Sequence, residues 1–294
     1  MKSVGHWVKP LAMLTLTFLA WVDPTPRMQA SATDLRLDFE PIQIDVPPPE
    51  SKGKGGVCPD FLGFFIDSII SRPAVARGNW GILVESLSND TVFYSHNASR
   101  SFIPASNTKL LTTAAALQKL DQNAKIGTTP LAEWIRVTNT NSNNAYADTL
   151  MRRLGGLSAA KEALTQLGVN PSSYRISDGS GLSRQNLATP TALVETLKAM
   201  NIAKGREVFY TSLAVGGVSG TLRNRFRLTP AQGKLHAKTG TLRGVSALSG
   251  YLENPNYGTL VFSIIVNQPG QPDQAFVGAI DEIVLQLSRL TSCQ

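Results

Sequence analysis

Hydrophobic residues recur along this chain with two different spacings, and each spacing indicates its own kind of secondary structure. Residues 58–70 carry apolar side chains every three to four positions, which predicts an amphipathic helix. Residues 80–85 and 91–94 are apolar runs on either side of a polar turn at residues 88–90, and they predict a pair of strands. The Ala/Leu-rich run over residues 104–117 predicts a second helix, because Ala and Leu are strong helix formers.

The spacing of apolar residues also predicts mostly helices in the middle of the chain, residues 131–205. Gly, Asn and Pro separate four predicted helices, over residues 131–137, 146–154, 158–167 and 191–200. In the third of these we expect Ser158 to be the N-cap. Its predicted apolar side consists of Leu157, Ala160, Leu164 and Leu167.

The last quarter of the chain returns to strand patterns and then ends in a helix. Three strands are predicted over residues 233–238, 245–252 and 259–266, and an amphipathic helix over residues 273–290. This order predicts an α/β (α+β) protein, in which both ends of the chain build an antiparallel sheet around an inserted all-α region. We therefore assign residues 58–105 and 233–294 to a sheet subdomain and residues 106–232 to a helical subdomain, with the active site at their seam.

The first 57 residues are expected to lie outside that fold. Basic residues precede the apolar run 10–22, and residues 30–32 (Ala-Ser-Ala) fit a small-x-small cleavage site, so residues 1–32 are predicted to be a secretory signal peptide. An uncleaved anchor helix is the alternative, although the run is short for a membrane span. Residues 33–57 are rich in Pro and Gly and are predicted to be a disordered linker. We expect an exported protein, periplasmic or extracellular, with no stable membrane span after cleavage.

Composition narrows the function classes. The chain has 294 residues, 42% of them hydrophobic, which is enough for a sizeable core. In an oxidising compartment Cys58 and Cys293 could form one disulfide between the two ends of the fold. With only His96 and His236 beyond the leader, the residues argue against a metal site, and no cofactor is expected. The net charge of +7 is scattered without aromatic interleaving, which argues against nucleic-acid binding and fits an anionic cell-wall setting.

Ser106 and Lys109 stand at the start of the Ala/Leu-rich run. On a helix their Cβ atoms are about 5–6 Å apart on one face, so the lysine amine can reach the serine hydroxyl. The unpaired N–H groups at the start of the helix favour negative charge beside that hydroxyl. Because Ser-x-x-Lys also occurs at residues 51–54 and 158–161, this spacing alone does not establish chemistry.

Two further motifs follow in order, Ser142-Asn143-Asn144 and Lys238-Thr239-Gly240-Thr241. Together the three motifs resemble the signature of penicillin-binding proteins and serine β-lactamases. The resemblance extends over about residues 80–268 and is carried by five segments, PASNTKLLTTAAAL (104–117), SNNAYADTLMRRLGG (142–156), DGSGLS (178–183), SGTLRNR (219–225) and AKTGTLRGVSALSGYL (237–252). They resemble the D-alanyl-D-alanine carboxypeptidase/endopeptidase branch, the class C low-molecular-mass penicillin-binding proteins. The resemblance implies the penicillin-binding-protein/β-lactamase-like transpeptidase fold.

The resemblance also implies roles for the helical side of the site. Ser106 attacks the carbonyl between two D-alanines of a peptidoglycan stem peptide and forms an acyl-enzyme. Lys109 acts as its base, provided that burial and nearby positive charge lower the pKa of its amine. Ser142 passes a proton to the leaving nitrogen, and Asn144 holds Lys109 and the substrate amide.

The remaining roles fall on the lysine-threonine-glycine strand. Lys238 keeps Lys109 neutral by like-charge repulsion and attracts the substrate carboxylate, to which Thr239 donates its hydroxyl. Gly240 lets the substrate lie along the strand edge. The resemblance places the oxyanion hole at the backbone N–H groups of Ser106 and Thr241. The implied activity is a serine-type D-Ala-D-Ala carboxypeptidase, also able to act as a DD-endopeptidase and acylated by β-lactam antibiotics.

One departure and two alternatives accompany this interpretation. Members of the branch usually carry a large insert between the first two motifs, whereas about thirty residues separate Lys109 from Ser142. A serine β-lactamase is one alternative, but no plausible Glu-x-x-x-Asn deacylating element follows the second motif. A non-catalytic muropeptide-binding protein is the other. The sequence does not indicate an oligomeric state.

Three other segments receive structural interpretations. Residues 178–181 (Asp-Gly-Ser-Gly) predict a tight turn that supports the site without performing chemistry. Ser95-His96-Asn97 predicts a turn after a strand. His236 shares a strand face with Lys238, where it could line the cleft, although we expect an edge histidine with its hydrogen bonds satisfied.

Overall fold

A six-stranded antiparallel sheet forms the centre of the molecule, and its strands come from both ends of the chain. The computed structural model describes residues 56–268, 270 and 273–293. The predicted signal peptide and nearly all of the predicted linker lie outside the described residues. Within the described residues the strand order is β2-β1-β10-β9-β8-β7. The strands are β1 (Asn79–Ser86), β2 (Val92–His96), β3 (Lys125–Ile126), β4 (Thr129–Pro130), β5 (Tyr174–Arg175), β6 (Leu187–Ala188), β7 (Ala214–Val215), β8 (Leu235–Leu242), β9 (Val245–Asn254) and β10 (Gly258–Asn267).

Helices cover both faces of this sheet. They are α1 (Pro59–Ile70), α2 (Thr108–Lys119), α3 (Leu131–Thr140), α4 (Asn144–Arg153), α5 (Gly156–Gln166), α6 (Pro190–Ile202), α7 (Arg206–Ser212) and α8 (Asp273–Ser288). The predicted fold class, an antiparallel sheet with terminal helices and an inserted helical block, is confirmed. The pairs β3–β4 and β5–β6 are small separate hairpins.

The central strand β10 shows why two cores form. Its side chains alternate between faces, so Val261 and Ile265 pack into the core beneath the inserted helices. Phe262 and Ile264 pack into the other core, against the terminal helices α1 and α8. A strand that is buried on both faces needs apolar residues at consecutive positions, and the sequence of β10 provides them.

Helix α2 lies at the centre of the inserted block. All of its residues from Thr108 to Leu117 are buried, so its polar side chains, Thr108, Lys109, Thr112 and Thr113, find their hydrogen-bond partners inside the protein. A 3-10 turn, Ala105–Asn107, leads into this helix. The Asn107 amide donates to the Ser249 hydroxyl of β9 at 2.8 Å, so the turn that carries Ser106 is held against the sheet.

The prediction for the start of α5 is wrong. The helix begins at Gly156, with Gly155 in the N-cap position, so Ser158 lies exposed inside the helix. Leu157 is 43% exposed and is not part of the buried side, which Ala160 and Leu164 do form. Helix α7 was not predicted, because its seven residues are too few to establish a period.

The two ends of the fold are covalently joined. Cys58 and Cys293 form a disulfide, as the sequence allowed. Beside it Val57 pairs with Leu290 in an isolated bridge. The turn predicted at residues 95–97 is only partly correct, because Ser95 and His96 still belong to β2 and the turn begins at Asn97, whose side chain donates to the Trp80 carbonyl at 2.9 Å. In the described part of the chain, no helix combines the length and apolar character needed to cross a membrane.

Candidate active site

The first candidate pair, Ser106 and Lys109, is joined by a hydrogen bond. Lys109 lies in the first turn of α2 and is fully buried, and its Nζ is 2.9 Å from Ser106 Oγ. Ser106 itself is partly exposed. Ala105 has a positive φ of 49°, a strained backbone for a residue with a side chain. A strained turn therefore presents the serine hydroxyl to the cleft.

Lys109 Nζ contacts three oxygens, and their chemistry differs. It donates to Asn144 Oδ1 at 2.7 Å and to the backbone carbonyl of Ser180. Carbonyl oxygens can only accept, so these two contacts require N–H groups on the amine. A neutral amine has two N–H groups and one lone pair. With both N–H groups engaged, the lone pair faces Ser106 and can accept its proton.

The environment of Lys109 makes this neutral form more accessible than it is for an exposed lysine. Burial lowers the pKa of its amine to about 8, while the Asp148 and Asp178 carboxylates act in the opposite direction. The expected lowering by burial is therefore present. Burial, and after it the charge of Lys109, hold the pKa of Lys238 well below its usual range. The like-charge repulsion expected between the two lysines therefore acts on Lys238.

Residues 178–183 position the Ser180 carbonyl. The Asp178 carboxylate accepts from the backbone N–H groups of Gly181 and Ser183, both at 2.6 Å. Asp148 Oδ1 accepts from the Gly179 N–H at 3.0 Å. The segment is thus a loop organised by carboxylates, and it supports Lys109 through a backbone oxygen. A contact through a backbone carbonyl cannot be predicted from residue types, although a supporting role for this turn was expected from its sequence.

The second motif lies between α3 and α4. Asn143 caps α4 by accepting from the Tyr146 N–H at 3.0 Å, which places Asn144 in the first turn beside Lys109. Ser142 has a positive φ of 56°, and its hydroxyl faces the strand β8. There it accepts a hydrogen bond from Lys238 Nζ at 2.8 Å.

Lys238 is the second buried amine of the site, and β8 carries it. The lysine is fully buried, and its Nζ also donates to the Thr239 carbonyl at 2.9 Å. The short strand β7 pairs with β8 only at His236 and Ala237. Among the described strands, β8 is therefore unpaired on that side from Lys238 onward, which leaves an open edge beside Ser106.

Gly240 has a packing role that the sequence did not predict. A Cβ at this position would lie 2.6 Å from the Pro104 carbonyl oxygen and 3.2 Å from Asn107 Oδ1. The glycine therefore lets β8 approach the turn that carries Ser106. Thr241 follows on the same strand and is exposed. Hydrogen bonds and close packing bring together seven of the eight predicted site residues, Ser106, Lys109, Ser142, Asn144, Lys238, Thr239 and Gly240, and Thr241 follows them on β8.

This arrangement can be compared with known proteins. A sequence model of the D-Ala-D-Ala carboxypeptidase 3 (S13) family matches residues 64–133 and 128–287, well over half of the chain. The chain belongs to the S13 family. The two matched pieces meet at residues 128–133, between Lys109 and Ser142.

Curated relatives of this S13 family member include two carboxypeptidases. The D-alanyl-D-alanine carboxypeptidase of an Actinomadura species is 40% identical over 169 residues, which cover 52% of this chain and 31% of that protein. The penicillin-sensitive carboxypeptidase A of Dictyostelium discoideum is 34% identical over 178 residues, 54% of this chain and 34% of that protein. The chain thus spans about a third of the length of the curated relatives that it matches.

Solved structures share the fold. Penicillin binding protein 4 from Haemophilus influenzae superposes with a TM-score of 0.67 at 14% identity, covering 76% of this chain and 99% of that chain. The TLA-3 extended-spectrum β-lactamase superposes with a TM-score of 0.66 at 18% identity, covering 78% and 98%. The penicillin-binding-protein/β-lactamase-like fold predicted from the motifs is confirmed.

His236 differs from its prediction in this S13 family member. Its ring stacks on Tyr210 with centroids 4.4 Å apart, and β7 pairs with its backbone, so it does not lie at a free edge. Its buried Nδ1 lacks a hydrogen-bond partner in the described residues. The expectation of a satisfied edge histidine is therefore wrong. Burial lowers the pKa of His236.

Metal-ligand atoms converge at one place in the described ranges, at Cys58, Asp60 and Cys293. Both sulfurs of that group are bonded to each other, so they offer no thiolate to a metal ion. The group also lies at the joined ends of the fold, whereas the cleft is built from α2, α4 and β8.

Proposed function

We propose that this protein is a serine-type D-Ala-D-Ala carboxypeptidase that acts on peptidoglycan stem peptides through an acyl-enzyme at Ser106. The observation that carries the proposal is the set of three oxygens around Lys109 Nζ: in the neutral amine the two carbonyl acceptors take both N–H groups, which leaves the lone pair for the Ser106 hydroxyl. Membership of the S13 family and the names of the relatives support the same reaction.

Acylation begins with a proton transfer. Neutral Lys109 takes the Ser106 proton while Oγ attacks the carbonyl carbon between the two D-alanines. The N–H groups of Ser106 and Thr241 hold the developing oxyanion, and the loss of one such donor typically costs about 100- to 1000-fold in rate. The carbon–nitrogen bond then breaks and the terminal D-alanine leaves.

The leaving nitrogen requires a proton, and Ser142 is placed to deliver it. Its hydroxyl accepts from Lys238 Nζ at 2.8 Å, so a proton given by Ser142 to the leaving group can be replaced from Lys238. Lys238 and Thr239 bind the substrate carboxylate, and the open edge of β8 receives the peptide backbone. Water then attacks the acyl carbonyl and the ester bond to Ser106 breaks, as Lys109 returns its proton to Ser106 Oγ and the proton lost by water restores Lys238.

We also infer an exported, cell-wall-associated protein, periplasmic or extracellular. The disulfide between Cys58 and Cys293 supports an oxidising compartment, as does the predicted signal peptide over residues 1–32. The division into a sheet subdomain, residues 58–105 and 233–294, and a helical subdomain, residues 106–232, stays a prediction.

The short connection between Lys109 and Ser142 bears on substrate range. The family match breaks at residues 128–133, on this connection, which supports the prediction that the usual insert is missing there. Cleavage of cross-linked peptides is a finer proposal than carboxypeptidase action.

The test is acylation followed by turnover. Fluorescent penicillin should label the wild-type protein at Ser106, and Ser106→Ala should abolish labelling. The wild type should release D-alanine from a stem pentapeptide, and a cross-linked dimer assayed beside it reports endopeptidase action. A folded wild type that is not labelled refutes the proposal. Rapid antibiotic turnover would indicate a β-lactamase, and peptide binding without D-alanine release a muropeptide-binding protein.

A further inference from the structure

Two threonine hydroxyls form a pair at the open edge of β8. Thr239 Oγ1 donates a hydrogen bond to Thr221 Oγ1 at 2.8 Å. Thr221 lies in the 3-10 turn Gly220–Leu222 and is exposed, while Thr239 is partly buried. The family resemblance implies that Thr239 donates to the substrate carboxylate, whereas it gives no role to Thr221, which lies in the segment 219–225.

Counting the hydroxyl protons changes that assignment. Two hydroxyls carry two protons, and the hydrogen bond between them uses one. Because Thr239 donates within the pair, the proton available to an outside acceptor belongs to Thr221. A carboxylate is an acceptor-only group and forms its stronger hydrogen bonds with such donors.

The position of Thr221 is held by the residues around it. Gly220 has a positive φ of 56°, and a Cβ there would overlap the Thr140 carbonyl oxygen. Thr140 in turn donates to the Ser212 carbonyl at 2.6 Å. Leu222, on the other side of Thr221, is fully buried. The exposed hydroxyl is therefore carried on a turn that is packed against the end of α3.

The same turn links the two later motifs. Thr140 ends α3 two residues before Ser142, and Thr239 follows Lys238 on β8. Gly220 packs against Thr140, near the Ser142 motif, and Thr221 is hydrogen-bonded to Thr239 of the Lys238 motif. The turn that carries Thr221 therefore contacts a residue close in sequence to Ser142 and the residue that follows Lys238.

We propose that Thr221 binds the terminal carboxylate of the substrate together with Thr239. This rests on the proposed function, since the carboxylate is that of a D-Ala-D-Ala peptide or of a penicillin. If Thr239 turns its proton to the carboxylate instead, Thr221 donates to Thr239 Oγ1. In the first arrangement, loss of the Thr221 hydroxyl removes the donor to the carboxylate, and in the second it removes the hydrogen bond that orients the Thr239 hydroxyl.

The experiment compares an acid with its ester. Thr221→Val keeps the side-chain shape and removes the hydroxyl, and Thr221→Ser keeps the hydroxyl. Thr165→Val is the matched control, because Thr165 is an exposed threonine on α5 whose hydroxyl donates to the Lys161 carbonyl. Each protein is acylated with fluorescent penicillin and, separately, with its methyl ester, and the second-order rate constants are measured.

Thr221→Val should be acylated by the acid about 10- to 100-fold more slowly, since a hydrogen bond to a charged group is lost. Acylation by the ester should change little, Thr221→Ser should restore the wild-type ratio of the two rates, and Thr165→Val should match the wild type. An unchanged acid rate, or an equal loss with acid and ester, overturns the inference. A wild type that neither probe labels instead overturns the proposed function and this inference with it.

Thermal unfolding of each variant accompanies the rates. Since Thr221 is exposed, Thr221→Val should unfold near the wild-type temperature. If it does not fold, Thr221→Ala gives the same comparison of acid with ester, without a branched apolar side chain at the surface.

Discussion

The two walls of the cleft each contain a buried lysine, but different groups surround it. On the helical wall, formed by Ser106, Lys109, Asn144 and Ser180, the amine lies among three oxygens, two of which can only accept. On the strand wall, formed by Lys238, Thr239, Gly240 and Thr221, hydroxyls and an unpaired strand edge face the cleft.

This difference separates proton transfer from recognition. The acceptors of the helical wall orient one lone pair towards one hydroxyl, which is the requirement for a base. The strand wall offers hydrogen-bond donors, which suit a carboxylate and a peptide backbone. Substitutions on the helical wall should therefore slow every acylation, whereas the effect of losing a strand-wall hydroxyl should depend on the carboxylate of the ligand.

The largest effect should come from removing the base. Lys109→Met keeps much of the length and the apolar stem of the side chain but has no amine, so acylation by fluorescent penicillin should fall about 100- to 10,000-fold. Acid and ester should lose equally, since the helical wall does not contact the carboxylate. Lys119→Met, on the same helix and paired with Glu162 at the surface, should retain the wild-type rate. A Lys109→Met protein that is acylated normally would remove the proton-transfer role of this wall.

Next in size is the contact between the walls. In Gly240→Ala the new Cβ meets the Pro104 carbonyl, so β8 and the Ser106 turn must separate. A displacement of about 1 Å at reacting groups can cost about 100-fold, and we expect a loss of that order in the acylation rate. Gly278→Ala is the control, because a Cβ on this residue of α8 meets nothing within 4 Å. Equal rates in the two variants would show that the walls do not need this close approach.

The pH dependence tests the helical wall more finely. Lys109 accepts a proton only when neutral, so acylation should rise as pH increases through about 8, the pKa of its amine, and should fall about tenfold per pH unit well below it.

Asp148→Asn should shift this rise to lower pH. The Asp148 carboxylate raises the pKa of Lys109, and an asparagine can still accept from the Gly179 N–H. Glu162→Gln, at the surface beside Lys119, should leave the profile in place. Rates measured from pH 6 to 10 decide between these outcomes, and a flat profile would argue against Lys109 as the base.

The smallest effect on activity should come from the disulfide, which belongs to neither wall. Replacing Cys58 and Cys293 by serine opens a loop of 235 residues and should lower the free energy of unfolding by about 2–4 kcal/mol. The acylation rate of the folded protein should remain unchanged. Denaturant unfolding and penicillin labelling at low temperature separate the two quantities, and a slower acylation would connect the joined ends of the fold to the cleft.

Much of the fold was readable from local patterns. The periods of residues 58–70 and 259–266 predicted α1 and β10 within a few residues, because burial of one face or of both leaves a regular spacing of apolar side chains. The predicted start of α5 was wrong because Ser158 is a good N-cap by type, yet the chain turns earlier, at Gly155. Residue type alone therefore does not determine at which residue a helix begins.

The sequence by itself determined the order of the main elements, the family and the eight residues expected at the site. Only the tertiary structure decided that the Ser180 carbonyl completes the set around Lys109, that Gly240 admits a close approach to Pro104, and that Thr221 pairs with Thr239. The physical reason is that a backbone carbonyl is the same group in every residue, and a contact between distant segments leaves no local period. Such contacts form only when the chain has folded and brought the distant segments together.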